Sequence, residues 1–150
     1  MLQSTLPTPA PDRRAPPPRP SPHVLVVEVA DAAYFSRLAE REALRNRRDG
    51  RLLSVLQLQV QEELDRNGRA DALLFEHALA DCARRLRGRI RSTDTLARWQ
   101  TTQFGVLLPG CDRADAAGVL ARLVGCASGP YGQDGVRLRL RVTGEVHRCL

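Results

Sequence analysis

There is no lysine in this sequence. All 23 basic residues are arginine. That excludes an amine nucleophile of the Schiff-base kind and a compact ammonium clamp for phosphate. Aromatic residues make up only 4% of the chain. No apolar run approaches the ~20 residues that a membrane-crossing helix needs. The N-terminus lacks the apolar stretch of a secretory signal, so a cytoplasmic location is expected. The four cysteines, Cys82, Cys111, Cys126 and Cys149, include no pair at C-x-x-C spacing, and no histidine stands at zinc-ligand spacing from them. They read as reduced thiols, with no metal site and no cofactor implied. The formal charge of +6 permits an anionic partner. Acidic residues are interspersed with the arginines, however, so no stripe suited to DNA emerges.

What is present divides the chain in two. Residues 1–22 hold eight of the ten prolines and almost no large apolar side chains. They read as a disordered, Pro-rich tail; "APPPRP" is compatible with an SH3-type ligand, but a plain linker is the simpler reading. Residues 23–150 carry the ordered pattern. Val24 to Val29 is β-branched and strand-like. From Asp31, a plausible N-cap, Tyr34, Phe35, Leu38, Ala39 and Leu44 recur at helical spacing until "RRDG" ends the helix. "LLSVLQLQV" at 52–60 alternates, with Leu56, Leu58 and Val60 on one face and Gln57, Gln59 and Gln61 on the other. After the polar connection "QEELDRNGRAD", a helix over about 71–90 is expected, with Leu74, Ala78, Cys82, Leu86 and Ile90 in one row.

"TLARW" and "QFGVLLPG" are two strands close enough to form a hairpin with its tip near Gln100 to Thr102. Asp112 opens a helix with Ala116, Val119, Leu120 and Leu123 inward. "GPYGQDG" reads as a turn, and "VRLRLRVTGEV" as a strand with Val136, Leu138, Leu140 and Val142 on one face. The fold class is α+β: an α/β sandwich with helices over a mostly antiparallel sheet.

This order, with the residues at its joints, resembles the GGDEF domain of diguanylate cyclases over roughly residues 31–146. The carrying stretches are "FSRLAEREALRNRRDGRLLSVLQLQV", "LADCARRLRGRIRSTDTLARW", "FGVLLPGCDRADAAGVLARL" and "RVTGEV", the last where the family has a Ser-x-Gly strand. The resemblance implies a nucleotidyl-cyclase-like sheet and bacterial-type cyclic di-GMP signalling. "QTTQF" then stands in the signature: Gln100 and Thr101 in place of two glycines, Thr102 and Gln103 in place of acidic residues, and Phe104 in place of Phe.

Family members condense two GTP molecules, using two divalent ions held by carboxylates of the hairpin and of the first central strand. The strand position falls on Gln59, with Gln61 two residues on. A glutamine amide is a neutral, weaker ligand for magnesium, and the side chains of Gln100 and Thr101 stand where phosphates need close backbone approach. The resemblance therefore implies a degenerate domain that is not an enzyme, with no catalytic residue and no metal ligand. Asn67 matches the family's guanine-contacting Asn, and Glu76 stands where an Asp is usual.

Arg91 and Asp94 match the Arg-x-x-Asp of the family's inhibitory site, which binds a cyclic di-GMP dimer. An arginine fork can grip a guanine edge or phosphate while the carboxylate accepts from guanine N–H groups. The plainer alternative makes Arg91 a helix-end cation and Asp94 a turn residue. Two functions follow: a cyclic di-GMP receptor, or a protein-interaction module, homodimeric or with another partner, that binds no nucleotide. An active cyclase is the least favoured reading. The family's final helix has no counterpart before Leu150, so this C-terminally shortened domain is expected to leave apolar sheet surface uncovered.

Overall fold

The computed structural model describes residues 26–63, 72–132 and 138–150. Its elements run β1 (Val27–Glu28), α1 (Ala32–Arg48), β2 (Leu53–Glu63), α2 (Ala72–Arg87), β3 (Thr95–Gln100), β4 (Gln103–Pro109), α3 (Arg113–Ala127), β5 (Gly129–Tyr131) and β6 (Leu138–Cys149). The six strands form one sheet in the order β1-β3-β4-β2-β6-β5, antiparallel except for the β1–β3 pair.

Asp31 caps α1, its carboxylate accepting from the Tyr34 N–H at 2.8 Å. Gly50, at φ 69°, ends the helix while the Arg51 N–H returns to the Asn46 carbonyl at 2.7 Å. The buried stripe of α1 is Phe35, Ala39, Ala43 and Asn46, with Leu38 packed beside it. Tyr34 and Leu44, expected inward, lie on the solvent side, 46% and 59% exposed. Small Ala39 and Ala43 let α1 lie close on Leu53, Val55, Ala97 and Leu107, a close approach that the larger side chains would prevent.

β2 sits at the centre, between β4 and β6. Its Leu56, Leu58 and Val60 face α2 and α3, joining Ala78, Cys82, Leu86, Phe104, Leu123 and Leu140 in the main core. α2 stops at Arg87, three residues short of expectation. Gly88 disfavours helix, and the Arg87 guanidinium turns back to the carbonyls of Arg91 and Asp94, both at 2.9 Å. Asp112 caps α3 as expected, accepting from the Asp115 N–H at 2.8 Å.

Two further expectations are corrected. "GPYGQDG" is not simply a turn: Gly129–Tyr131 pairs with Leu138–Leu140 as an edge strand, where Pro130 needs no ladder partner. Tyr131 anchors it, buried, with its hydroxyl on the Ala127 carbonyl at 2.5 Å and its ring 3.9 Å beneath the Arg85 guanidinium. The sheet surface left open beyond α1 is also not apolar. It carries Gln57, Gln59, Gln61 and Glu63 of β2 and Arg139, Arg141, Thr143 and Glu145 of β6, and Glu63 and Arg139 pair across the strands at 3.1 Å. Val24 and Val136 lie outside the described residues.

Candidate functional site: a neutral hairpin cleft and an arginine cleft

The signature hairpin forms where the sequence places it. Thr101 and Thr102 make the tip between β3 and β4, and the Thr102 carbonyl accepts from the Val60 N–H at 2.8 Å, tying the tip to the central strand. Phe104 is fully buried in the main core. Gln103 pairs with Gln59 across β2–β4, and Gln59 with Thr143 across β2–β6. These three form one rung, with Gln57 and Glu145 one step along the same face. A cleft of about 360 Å³ opens over this rung, lined also by Trp99.

The chemistry of the cleft is set by amides. Gln103 accepts from the Trp99 indole N–H at 2.6 Å, and Trp99 in turn stacks on Phe35 with ring centroids 4.8 Å apart. Among the described residues Glu145, which sequence reasoning missed, is the one carboxylate lining this cleft. Its position two residues past Thr143 on an alternating strand was the available signal. Hard divalent ions need several oxygen ligands, normally including carboxylates, and among the described residues no three His, Cys, Asp or Glu side chains converge as a metal site. The described residues of this cleft do not fit a two-metal centre. Asn67 lies outside the described residues; Glu76 is exposed on α2.

Arg91 and Asp94 come together at the turn between α2 and β3. Asp94 is almost fully buried, its side chain 3% exposed. It accepts from the Arg91 backbone N–H at 2.8 Å and from the Arg91 guanidinium at 3.3 Å, while that guanidinium also donates to the Pro109 carbonyl at 2.9 Å. Asp94 thus holds Arg91, and the 62% exposed Arg91 side chain faces outward.

Beside this pair lies a larger cleft, about 780 Å³, between the end of α2 and α3. Arg89, Arg91, Asp115 and Arg122 line it with Val119 and Leu108. Asp115, Val119 and Arg122 recur at spacings of four and three on α3, a one-face pattern that could have been read from the sequence. Cys111 also lines the cleft, but burial pushes its thiol above the ordinary 9.0, which argues against a nucleophile there.

The sequence profile described as "Diguanylate cyclase, GGDEF domain" matches residues 28–143. No curated protein matches the sequence. Among solved structures, the GGDEF domain of YfiN (TpbB) from Pseudomonas aeruginosa aligns with a TM-score of 0.65 and 25% identity, over 79% of this chain and 73% of that one. The FimX GGDEF domain of the same organism aligns with a TM-score of 0.60 and 16% identity, over 75% of this chain and 70% of that one. The diguanylate cyclase SiaD, also from Pseudomonas aeruginosa and solved in complex with its activator SiaC, aligns with a TM-score of 0.54 and 21% identity, over 76% of this chain and 45% of that one. The chain belongs to the GGDEF family of diguanylate cyclase domains. No helix among the described residues is long and apolar enough to cross a membrane.

Proposed function

We propose that this chain is a non-catalytic GGDEF signalling domain that binds cyclic di-GMP in the cleft between α2 and α3. The observation that carries the reading is a division of charge. Among the described residues the signature cleft is lined by Gln57, Gln59, Gln103 and Thr143 with a single carboxylate, whereas the second cleft gathers three guanidinium groups, which outnumber its carboxylates Asp94 and Asp115. Condensing two triphosphates needs metal-held negative charge neutralised at the first cleft, and amides supply no anion for the metal. Binding a cyclic bis-phosphate needs cations and planar stacking surfaces, which arginines provide.

In this reading Arg91, Arg89 and Arg122 contact phosphate or purine, and Asp115 accepts from a guanine edge. Asp94 acts through Arg91, because its own oxygens are buried and engaged. Calorimetric titration with cyclic di-GMP tests it. Binding should be lost in Arg91→Ala, weakened in Arg122→Ala and Asp115→Asn, and unchanged in Gln103→Ala. No heat up to high micromolar nucleotide would remove the receptor role. Product from GTP and magnesium, above a no-protein control, would overturn the inactivity.

One observation favours a second reading, a docking module indifferent to nucleotide. The Arg91 guanidinium is already bonded to Asp94 and to the Pro109 carbonyl, so a ligand must share or displace those bonds.

A further inference from the structure

The outer ridge of α1 carries charge of one sign. The helix buries Phe35, Ala39, Ala43 and Asn46. At about 100° per residue, the side directly opposite that stripe is formed by Arg37, Arg41, Leu44 and Arg48, and all of them are exposed. Arg45 and Arg47 flank the ridge, and Arg51 follows just past the helix end, also exposed. No acidic residue stands on the ridge. The glutamates of the helix lie to its sides and are already engaged, Glu42 with Arg45 at 3.3 Å and Glu40 with Arg148 at 3.8 Å. Asp31 caps the N-terminus, which leaves Asp49 at the C-cap as the remaining carboxylate of the segment. Among the described residues the guanidinium groups of Arg41, Arg47, Arg48 and Arg51 form no hydrogen bond or ion pair.

The helix dipole accounts for the cations of the last turn, Arg45, Arg47 and Arg48. It does not account for Arg37 and Arg41, which lie outside that turn. Nor does it account for Leu44, more than half exposed among the arginines, or for Leu52, also more than half exposed just past the helix.

We propose that this ridge docks on an anionic lipid surface. The helix lies flat, with Arg37, Arg41 and Arg48 at the headgroup phosphates and Leu44 at the level where the acyl chains begin. The ridge is convex, and neither of the clefts described above is lined by its side chains, so it offers no groove to hold an acidic peptide. It sets its cations along a line about 16 Å long from Arg37 to Arg48, which suits a flat field of phosphates. Guanidinium forks bind phosphate bidentately. A leucine set among them gains by leaving water only where apolar chains lie beneath the charge. Duplex DNA supplies the phosphates but nothing apolar for Leu44. With one leucine on the ridge, the attraction is chiefly electrostatic and is screened by salt. Docking there leaves the nucleotide cleft free, because α1 covers one face of the sheet while α2 and α3 cover the other.

Co-sedimentation of the full chain with phosphatidylcholine vesicles containing roughly one-third phosphatidylglycerol, against vesicles of phosphatidylcholine alone, tests this. Binding is expected only to the anionic vesicles and should vanish at about 0.5 M salt. Arg41→Gln combined with Arg48→Gln should weaken it about 25-fold, at about fivefold per arginine. The same charge removed elsewhere, by Arg113→Gln combined with Arg141→Gln, should weaken it less than about twofold. Leu44→Gln should weaken it several-fold. All of these positions are exposed, so the circular dichroism spectrum should not change. Equal binding to both kinds of vesicle, equal loss in the two double variants, or no loss in Leu44→Gln would overturn the proposal. So would a chain that binds a duplex oligonucleotide through this ridge and does not bind the anionic vesicles.

Discussion

The indole of Trp99 donates to the Gln103 side chain at 2.6 Å, so the residue that the proposed reading sets in the signature's metal-ligand position is bonded to its neighbour on the hairpin. A neutral amide serves that role without needing a counter-ion, and Gln59 opposite it is equally neutral. Wild-type protein should therefore show no saturable manganese binding in calorimetry or spin resonance. The double variant Gln59→Asp, Gln103→Glu, which joins two carboxylates to Glu145, should gain weak binding. It should still yield no cyclic product, because in the proposed reading the side chains of Gln100 and Thr101 stand where the phosphates would approach. Saturable manganese binding by the wild type would sink this account of the cleft.

Asp94 concerns stability as much as binding. Its carboxylate is buried and accepts from both the backbone and the guanidinium of Arg91. Asp94→Ala should cost about 1–3 kcal/mol, since it leaves the part-buried Arg91 N–H without its acceptor. Arg91→Ala should also destabilise, by exposing a buried carboxylate to loss of its cation. Urea denaturation at neutral pH measures both. If Asp94→Ala unfolds at the wild-type midpoint, the positioning role assigned to Asp94 is not real.

Much of the architecture was legible because periodic patterns survive in it. Leu56, Leu58 and Val60 alternate as a strand should, and Ala78, Cys82 and Leu86 repeat as a helix should; both sets are buried. The hairpin was legible because Phe104 and the Pro-Gly pair fix its register even without the glycines. The burial of Asp94 was not, since a two-residue motif carries no information about which group faces water. Arg89, Asp115 and Arg122 escaped because three elements of the chain build one cleft. β5 escaped because glycine and proline signal a turn locally, while Tyr131 is held by the distant Arg85 and by the end of α3.

Gly105 sits directly after the signature, on the sheet face beneath α1. A Cβ there would lie 2.2 Å from the ring of Phe35, which is fully buried and stacked on Trp99. Gly105→Ala should force the ring away and cost about 1–3 kcal/mol. Gly125, in the last turn of α3, meets nothing within 4 Å, so Gly125→Ala should stabilise by about 0.5 kcal/mol through helix propensity. Paired thermal melts check the contrast. Equal midpoints for the two variants would contradict the packing described beneath α1.

Alkaline pH should loosen the main core. Burial raises the Cys82 thiol above its ordinary 9.0 and raises the Tyr131 phenol above its ordinary 10.0. Both groups are therefore neutral in the fold at pH values where an unfolded chain would ionise them. Their contribution is fully present below about pH 9 and is lost as pH climbs through the unfolded values toward the folded ones. The urea midpoint should hold between about pH 7 and 8.5 and fall above about pH 9.5. Tyr131→Phe should lower the neutral midpoint by about 1 kcal/mol through loss of the bond to the Ala127 carbonyl. It should also flatten the alkaline fall, because one of the two ionising groups is gone. An alkaline limb of unchanged steepness in Tyr131→Phe would show that the fall arises elsewhere.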